Sequence, residues 1–166
     1  MERLRNAKDV AVRQGPAATL EALYRAEYTG MVRLAFTLIG NNAEAEEVVQ
    51  ESFVDISFRL DDPDTPVRQP GAYLRTIVVG RCRSLIRRRR LMRERPPAPP
   101  DDLTPSAESL WDVLHTLPEH QRIAVVLKYY GGYRASEIAR ITEQPSATVR
   151  SHLRRALAAM RKELTP

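Results

Sequence analysis

Apolar residues recur along this chain at steps of three and four rather than two, so the pattern predicts amphipathic helices and no sheet. Leu20, Leu23, Tyr24, Met31, Leu34, Ala35 and Leu38 make the inward stripe of a first helix that ends at Gly40. Asn41 and Asn42 are suited to cap a second helix, with Ala45, Val48, Val49, Phe53, Ile56 and Leu60 inward. Its other face is acidic: Glu44, Glu47, Glu51 and Asp55. A loop punctuated by Pro63, Pro66 and Pro70 leads to a third helix, Gly71 to Arg90, with Tyr73, Leu74, Ile77, Val78, Leu85 and Ile86 inward. The polar side of that helix is basic and closes in the run Arg87, Arg88, Arg89 and Arg90.

The periodicity then breaks. Pro96, Pro97, Pro99, Pro100 and Pro105 fall in one short stretch, RPPAPPDDLTPSA, where a helix cannot continue, so this stretch reads as a linker. Beyond it a helix is expected near Leu110, followed by a capping-box pattern, Thr116 with Glu119, ahead of the apolar run IAVVLKYY. Gly131 and Gly132 stop that helix. A short helix from Arg134 to Ile141, a TEQP turn and a final helix from Ser146 to Leu164 complete the chain. In the final helix Val149, Leu153, Leu157, Met160 and Leu164 are expected inward, and Thr148, Arg150, Ser151, His152, Arg154 and Arg155 outward. Two short helices about a tight turn, the second basic on its exposed face, read as a helix-turn-helix. The expected fold is all-α: two small helical domains joined by a Pro-rich linker, with boundaries 1–18 (tail), 19–92, 93–109 (linker) and 110–166.

Composition narrows this picture. The 166 residues carry a net charge of +5, with 43% hydrophobic and only 6% aromatic residues, which suits a helical core and argues against an all-β fold. Divided into residues 1–95, 96–110 and 111–166, the chain holds +4, −3 and +4. An anionic partner is the first inference from that balance. Arg81, Arg83 and the run Arg87 to Arg90 suit a phosphate track, although a basic helix end also favours its own dipole. The acidic stripe is repelled by DNA and faces solvent or a basic protein surface.

The lone Cys82 excludes an internal disulfide, and the charged N-terminus lacks the apolar core of a signal peptide, so a cytoplasmic location is expected. No phosphate-cradling glycine loop, GxSxG elbow, HExxH or paired Cys/His spacing is present, and His115, His120 and His152 share no ligand spacing. No catalysis, metal or cofactor is expected.

The segments AEEVVQESF (Ala45 to Phe53) and YLRTIVVGRCRSLIRRRR, with LPEHQRIAVVLKYYGGYRASEIARI and SATVRSHLRRALAAMRKEL after the linker, resemble the extracytoplasmic-function sigma factors of the bacterial sigma-70 family. The resemblance covers nearly all of the chain beyond its first 18 residues. It implies that 19–92 is sigma region 2 and 110–166 sigma region 4, and that the protein is a non-enzymatic initiation factor. It further implies docking of Glu47, Gln50 and Glu51 on the clamp of the largest subunit of core RNA polymerase, with region 4 on the flap of the second-largest. Downstream promoter DNA would fall to Arg75, Gly80, Arg81, Arg83, Arg87 and Arg88. Upstream DNA would fall to Thr148, Arg150, Ser151, Arg154 and Arg155. An anti-sigma factor is a common further partner in the family. The linker, drawn out in polyproline form, would reach roughly 50 Å, about 15 base pairs.

Three positions depart from the family pattern: Gly80 stands where Asn is common, Ser57 and Phe58 near a usual Trp, and Glu143 at a turn position where Gly is frequent. Two rival readings make different demands. A stand-alone regulator of the LuxR type would need a receiver or ligand-binding first block with alternating strands, which residues 1 to 95 lack as a pattern. A basic-looking helical enzyme or adaptor would leave Arg150 and Arg154 dispensable.

Overall fold

The structure, a computed structural model, describes residues 16–164. Among these the chain forms seven α-helices and no strand: α1 (Pro16–Ile39), α2 (Asn42–Leu60), α3 (Pro70–Leu91), α4 (Pro105–Thr116), α5 (Glu119–Val125), α6 (Ala135–Thr142) and α7 (Ser146–Leu164). The expected tail, residues 1–18, lies outside the described residues except for its last three, which belong to α1. No helix among the described residues is long and apolar enough to cross a membrane.

The first three helices pack on one another as their stripes predict. Gly40 ends α1 with φ +76°, a backbone region that only Gly enters at low cost, and its N–H closes on the Phe36 carbonyl at 2.7 Å. Asn41 then caps α2, its side chain accepting from the Glu44 N–H at 3.1 Å. Leu38, Ile39, Val49, Ile56, Leu74, Val78 and Cys82 are fully buried between the three helices. Each large aliphatic side chain contributes about 1.5–3 kcal/mol of transfer free energy. Cys82 is a packed thiol whose burial pushes its pKa up to about 12, so it stays protonated and unreactive. Tyr24, expected inward, is instead 47% exposed and stacks on Tyr28 with ring centroids 4.5 Å apart.

The second block departs from expectation in three places. Its first helix begins at Pro105, with the Thr104 side chain as cap, so the linker ends five residues earlier than the composition suggested. The Thr116–Glu119 capping box does not form: Leu117 is extended, Pro118 precedes the first turn of α5, and the Thr116 hydroxyl donates back to Val113. A proline at that junction sets the entry of the helix without a side-chain cap. The reciprocal contact occurs instead at α6, where the Glu137 carboxylate accepts from the Arg134 N–H at 2.7 Å. In α7 the inward face is rotated relative to the predicted stripe. Val149 and Ala156 are the buried residues, and Leu164 is exposed. His152, expected outward, is half-buried and stacks on His120 at 5.3 Å.

Between α5 and Gly131 the helix widens into a π-helical turn, Val126–Tyr130, closed by the Gly131 N–H on Val126. The α6–α7 turn passes through Glu143 in the left-handed region (φ 54°). A side chain there costs about 1–2 kcal/mol, so Glu143→Gly should stabilise the protein by about 1 kcal/mol in urea denaturation.

Buried residues of both blocks join in one continuous hydrophobic cluster, so the two units are packed together rather than held apart. Polar contacts reinforce this. The C-terminal end of α1 receives two guanidinium groups: Arg89 of α3 donates to the Ile39 carbonyl at 2.6 Å, and Arg122 of α5 to the Leu38 carbonyl at 3.1 Å. Cations suit that negative helix end. Arg122 also donates to the carbonyls of His115 (2.5 Å) and Leu117 (3.3 Å) and is only 7% exposed.

The linker folds back instead of extending: the Trp111 indole N–H donates to the Pro97 carbonyl at 3.2 Å, and a Cβ on Gly40 would lie 2.3 Å from the Pro97 ring. His115, under Trp111, is 4% exposed, and burial brings its pKa down to about 4, helped by Arg122 and Arg89 against the opposing Trp111 carbonyl. The unfolded chain binds this proton near pH 6.5, the folded one near 4, so the stability held above pH 6.5 is lost as pH falls through that window. The loss from this residue is expected to be on the order of 3 kcal/mol. Urea midpoints at stepped pH should fall more steeply for the native sequence than for His115→Gln.

Candidate nucleic-acid interface

Three charged surfaces emerge from the packing, one acidic and two basic. The acidic one is the outer face of α2. Glu47 and Gln50 are exposed, and among the described residues their side chains make no hydrogen bond or ion pair. Glu51 and Asp55 both bind Arg81 of α3, with the Asp55 oxygen 2.6 Å from the guanidinium. Glu44 is bound to Arg89. Val54 and Phe58, 54% and 70% exposed, continue the line of Glu47 and Gln50 one and two turns along the helix. The sequence reading missed this apolar extension. Its signal was present, since Val54 and Phe58 fall outside the inward period of α2.

A groove between α2 and α3 runs beside this face, with Glu47, Glu51, Gly80 and Arg88 among its lining. A Cβ at Gly80 would meet nothing within 4 Å, so close packing does not demand the glycine there.

The basic residues of α3 divide into two sets. Arg87 and Arg88 are exposed. Arg81 is held by carboxylates of α2, while Arg75 and Arg83 are held by the second unit. The Arg75 guanidinium lies 5.0 Å from the Tyr133 ring centre and 3.7 Å from Glu27, and its Nε is buried without a partner. Arg83 reaches the Thr142 carbonyl of the helix-turn-helix turn at 3.4 Å.

Beside Arg75, the loop between α2 and α3 borders a cavity of about 710 Å³, which Tyr133, Glu137 and Arg140 close from the other unit. Asp62 organises that loop: it accepts from the Thr65 hydroxyl and from the Asp64 N–H, and these bonds hold its carboxyl below the ordinary value. Arg59 links the loop to α3, donating to the Tyr73 hydroxyl at 3.2 Å and to Thr65.

The third surface is α7. Its first half presents Arg150, Arg154 and Arg155 to solvent, with Thr148 and Ser151 half-buried beside them. The turn before it is braced from α6, where the Gln144 N–H bonds the Ala139 carbonyl at 2.9 Å. The exposed half of a helix of this kind fits a major groove and brings guanidinium forks to base edges. Among the described residues no group of three His, Cys, Asp or Glu is arranged to hold a metal ion.

Comparison with known proteins finds two family matches along the chain. Sigma-70 region 2 matches residues 23–91, and sigma-70 region 4 matches residues 107–160. The RNA polymerase sigma factor SigV of Bacillus subtilis is 30% identical over 142 residues, spanning 80% of this chain and 83% of its own. The RNA polymerase sigma-E factor of Streptomyces coelicolor is 29% identical over 157 residues, spanning 90% of this chain and 88% of that one. In fold, the chain resembles the sigma factor RpoE of Bartonella quintana, solved in complex with the anti-sigma factor NepR, at TM-score 0.66 and 20% identity over 87% of this chain and 95% of that chain.

The first block matches sigma region 2 and is helical throughout its described residues, which does not favour a LuxR-type regulator with its alternating-strand receiver. The chain therefore belongs to the sigma-70 family, as an extracytoplasmic-function sigma factor, and serves RNA polymerase in promoter recognition at the start of transcription.

Proposed function

We propose that this sigma factor docks on the clamp of the largest polymerase subunit through the α2 face bearing Glu47, Gln50 and Glu51, extended by Val54 and Phe58, and on the flap of the second-largest subunit through region 4. The observation that carries this reading is the separation of charge: the exposed, unpaired Glu47 amid the carboxylates of α2, and solvent-facing arginine on α7. A basic protein surface suits the first and DNA the second. Region 2 then contacts the downstream element through Arg75, Arg81, Arg83, Arg87 and Arg88 around Gly80, and region 4 reads the upstream element through Thr148, Arg150, Ser151, Arg154 and Arg155.

Promoter engagement in this reading requires the two units to part. Arg75 and Arg83 are engaged by Tyr133 and Thr142, and the loop beside α3 is closed over by region 4. Residues 92–104, released from Trp111 and Gly40, span about 40 Å in polyproline form, enough to let two readers occupy separate promoter elements. The protein acts in the cytoplasm beside the polymerase, with no chemistry of its own. An anti-sigma factor, of the kind bound to the Bartonella protein, is its natural inhibitor in this scheme.

Upstream reading is tested by selecting bound promoters from a randomised library with Arg150→Ala and Arg154→Ala. Each lost base contact should cost about 1–3 kcal/mol at one position of the upstream element. Equal losses at every position would instead make these arginines phosphate contacts.

A further inference from the structure

The end of α3 carries an apolar tip. Leu91, the last residue of the helix, is 77% exposed, the most of any large apolar side chain among the described residues, and Met92 beside it is 62% exposed. A single exposed apolar residue needs no explanation, but an adjacent pair on an ordered cap among cations does.

The cap is ordered by three backbone bonds. The Met92 N–H donates to the Arg88 carbonyl at 3.0 Å, that of Arg93 to Arg90 at 3.1 Å and that of Glu94 to Arg89 at 3.0 Å. The last two, with Arg93 in the left-handed region (φ 56°), form the closing pattern in which an apolar contact often joins the two ends. Here the Arg89–Glu94 pair at 3.7 Å takes the place of that contact. Neither Leu91 nor Met92 is needed to hold the cap.

Position and charge say what the tip meets. Ser84, Arg87, Arg88 and Leu91 follow at steps of three and four, so they share one face of α3, and all four are exposed. Arg87, Arg88, Arg93 and Arg95 are exposed, and among the described residues their side chains make no hydrogen bond or ion pair. The tip thus continues the face that region 2 turns to promoter DNA, and it lies where the linker departs toward region 4. Leu91 stands about 5 Å along the helix axis beyond Arg87 and Arg88, the rise of about one and a half base pairs. In the major groove the one apolar group that a base pair presents is the thymine methyl.

We propose that Leu91 and Met92 contact thymine methyl groups in the promoter duplex, within about two base pairs of the upstream border of the downstream element. This rests on α3 as the face for that element and adds a base choice to it: Arg87 and Arg88 hold phosphates, which fix position, while the tip selects a base. An anionic membrane also suits an apolar tip among cations, but a helix that binds one lies along it with a whole apolar face. The face leading to Leu91 is Ser84, Arg87 and Arg88, so DNA is favoured.

The test is transcription by core RNA polymerase with the full chain, on promoters selected from a randomised library. Thymine should be enriched at one or two positions at that border. Replacing each such thymine by uracil removes only the methyl group and should lower initiation about fourfold, the worth of one buried methyl-sized group. Leu91→Ala with Met92→Ala should make initiation the same on thymine and uracil promoters while leaving the thermal midpoint unchanged. Arg87→Ala with Arg88→Ala should weaken the complex on both promoters alike and lower its salt slope by about 2. No uracil effect in the native protein, or the same effect in the Leu91 and Met92 variant, overturns the contact while the arginine result leaves α3 on DNA. An arginine variant with native affinity and salt slope overturns both. Binding to phosphatidylglycerol vesicles that the Leu91 and Met92 variant loses, with no uracil effect, overturns the contact in favour of a membrane surface.

Discussion

Arg122→Ala is expected to lower the unfolding free energy by on the order of 3 kcal/mol and to loosen the packing of region 4 on region 2. The side chain serves three carbonyls, those of Leu38, His115 and Leu117, and is 7% exposed. Losing the donor leaves buried acceptors unmet, at about 1–3 kcal/mol each. Part of that loss is offset, because burial and the neighbouring Arg89 disfavour the charged form and bring the guanidinium pKa down to about 10. Arg122→Lys should recover only a fraction, since an ammonium lacks the planar fork that reaches separate carbonyls. Urea denaturation measures the first effect. Small-angle scattering measures the second, as an increase in radius of gyration. A variant with unchanged midpoint and unchanged radius would mean that the two units are held by the shared apolar cluster alone.

The other large effect is on polymerase binding. Glu47→Lys, alone and with Glu51→Lys, should lower the affinity for core polymerase about 100-fold or more, because a cation replaces acid opposite a basic surface. Stability should move little. Glu47 has no ion-pair partner among the described residues, and the Glu51–Arg81 pair is half-exposed, a setting worth at most about 1 kcal/mol. Fluorescence anisotropy with labelled protein reads the affinity, and the thermal midpoint checks the fold. Phe58→Ala separates the apolar part of the face from the charged part: faster dissociation without a change in salt dependence is expected. Wild-type affinity in the Glu47→Lys variant would remove α2 as the docking element.

Much of the local architecture was legible in the sequence because it is set locally. Gly40, Asn41 and the stripe of α2 announce a helix end, a cap and a buried face within a few residues of one another. Where the sequence misled, a neighbour in the chain or a distant partner decided. Pro118 displaced the Thr116 cap, and His120 drew His152 inward across the helix-turn-helix.

The union of the two units was the least legible feature. Periodicity reports that a face is buried without saying against what, and Arg122 in an apolar run gives no sign that its partner is a carbonyl 84 residues earlier. The Pro-rich stretch likewise reads as a spacer, and only the space beside Gly40 reveals that Pro97 is seated. The basic residues of α3 were read as one track for the same reason. Carboxylates of α2 and groups of region 4 divide them into those that are free and those that are engaged.

Promoter-directed transcription tests the whole assignment most directly. Purified core RNA polymerase, given a library of promoter DNA, should start transcripts from a defined set of sites only when this protein is added, and Glu47→Lys should abolish them. No added transcript from any site, together with sequence-specific DNA binding by the free protein, would contradict an initiation factor and leave a regulator that works without docking on polymerase.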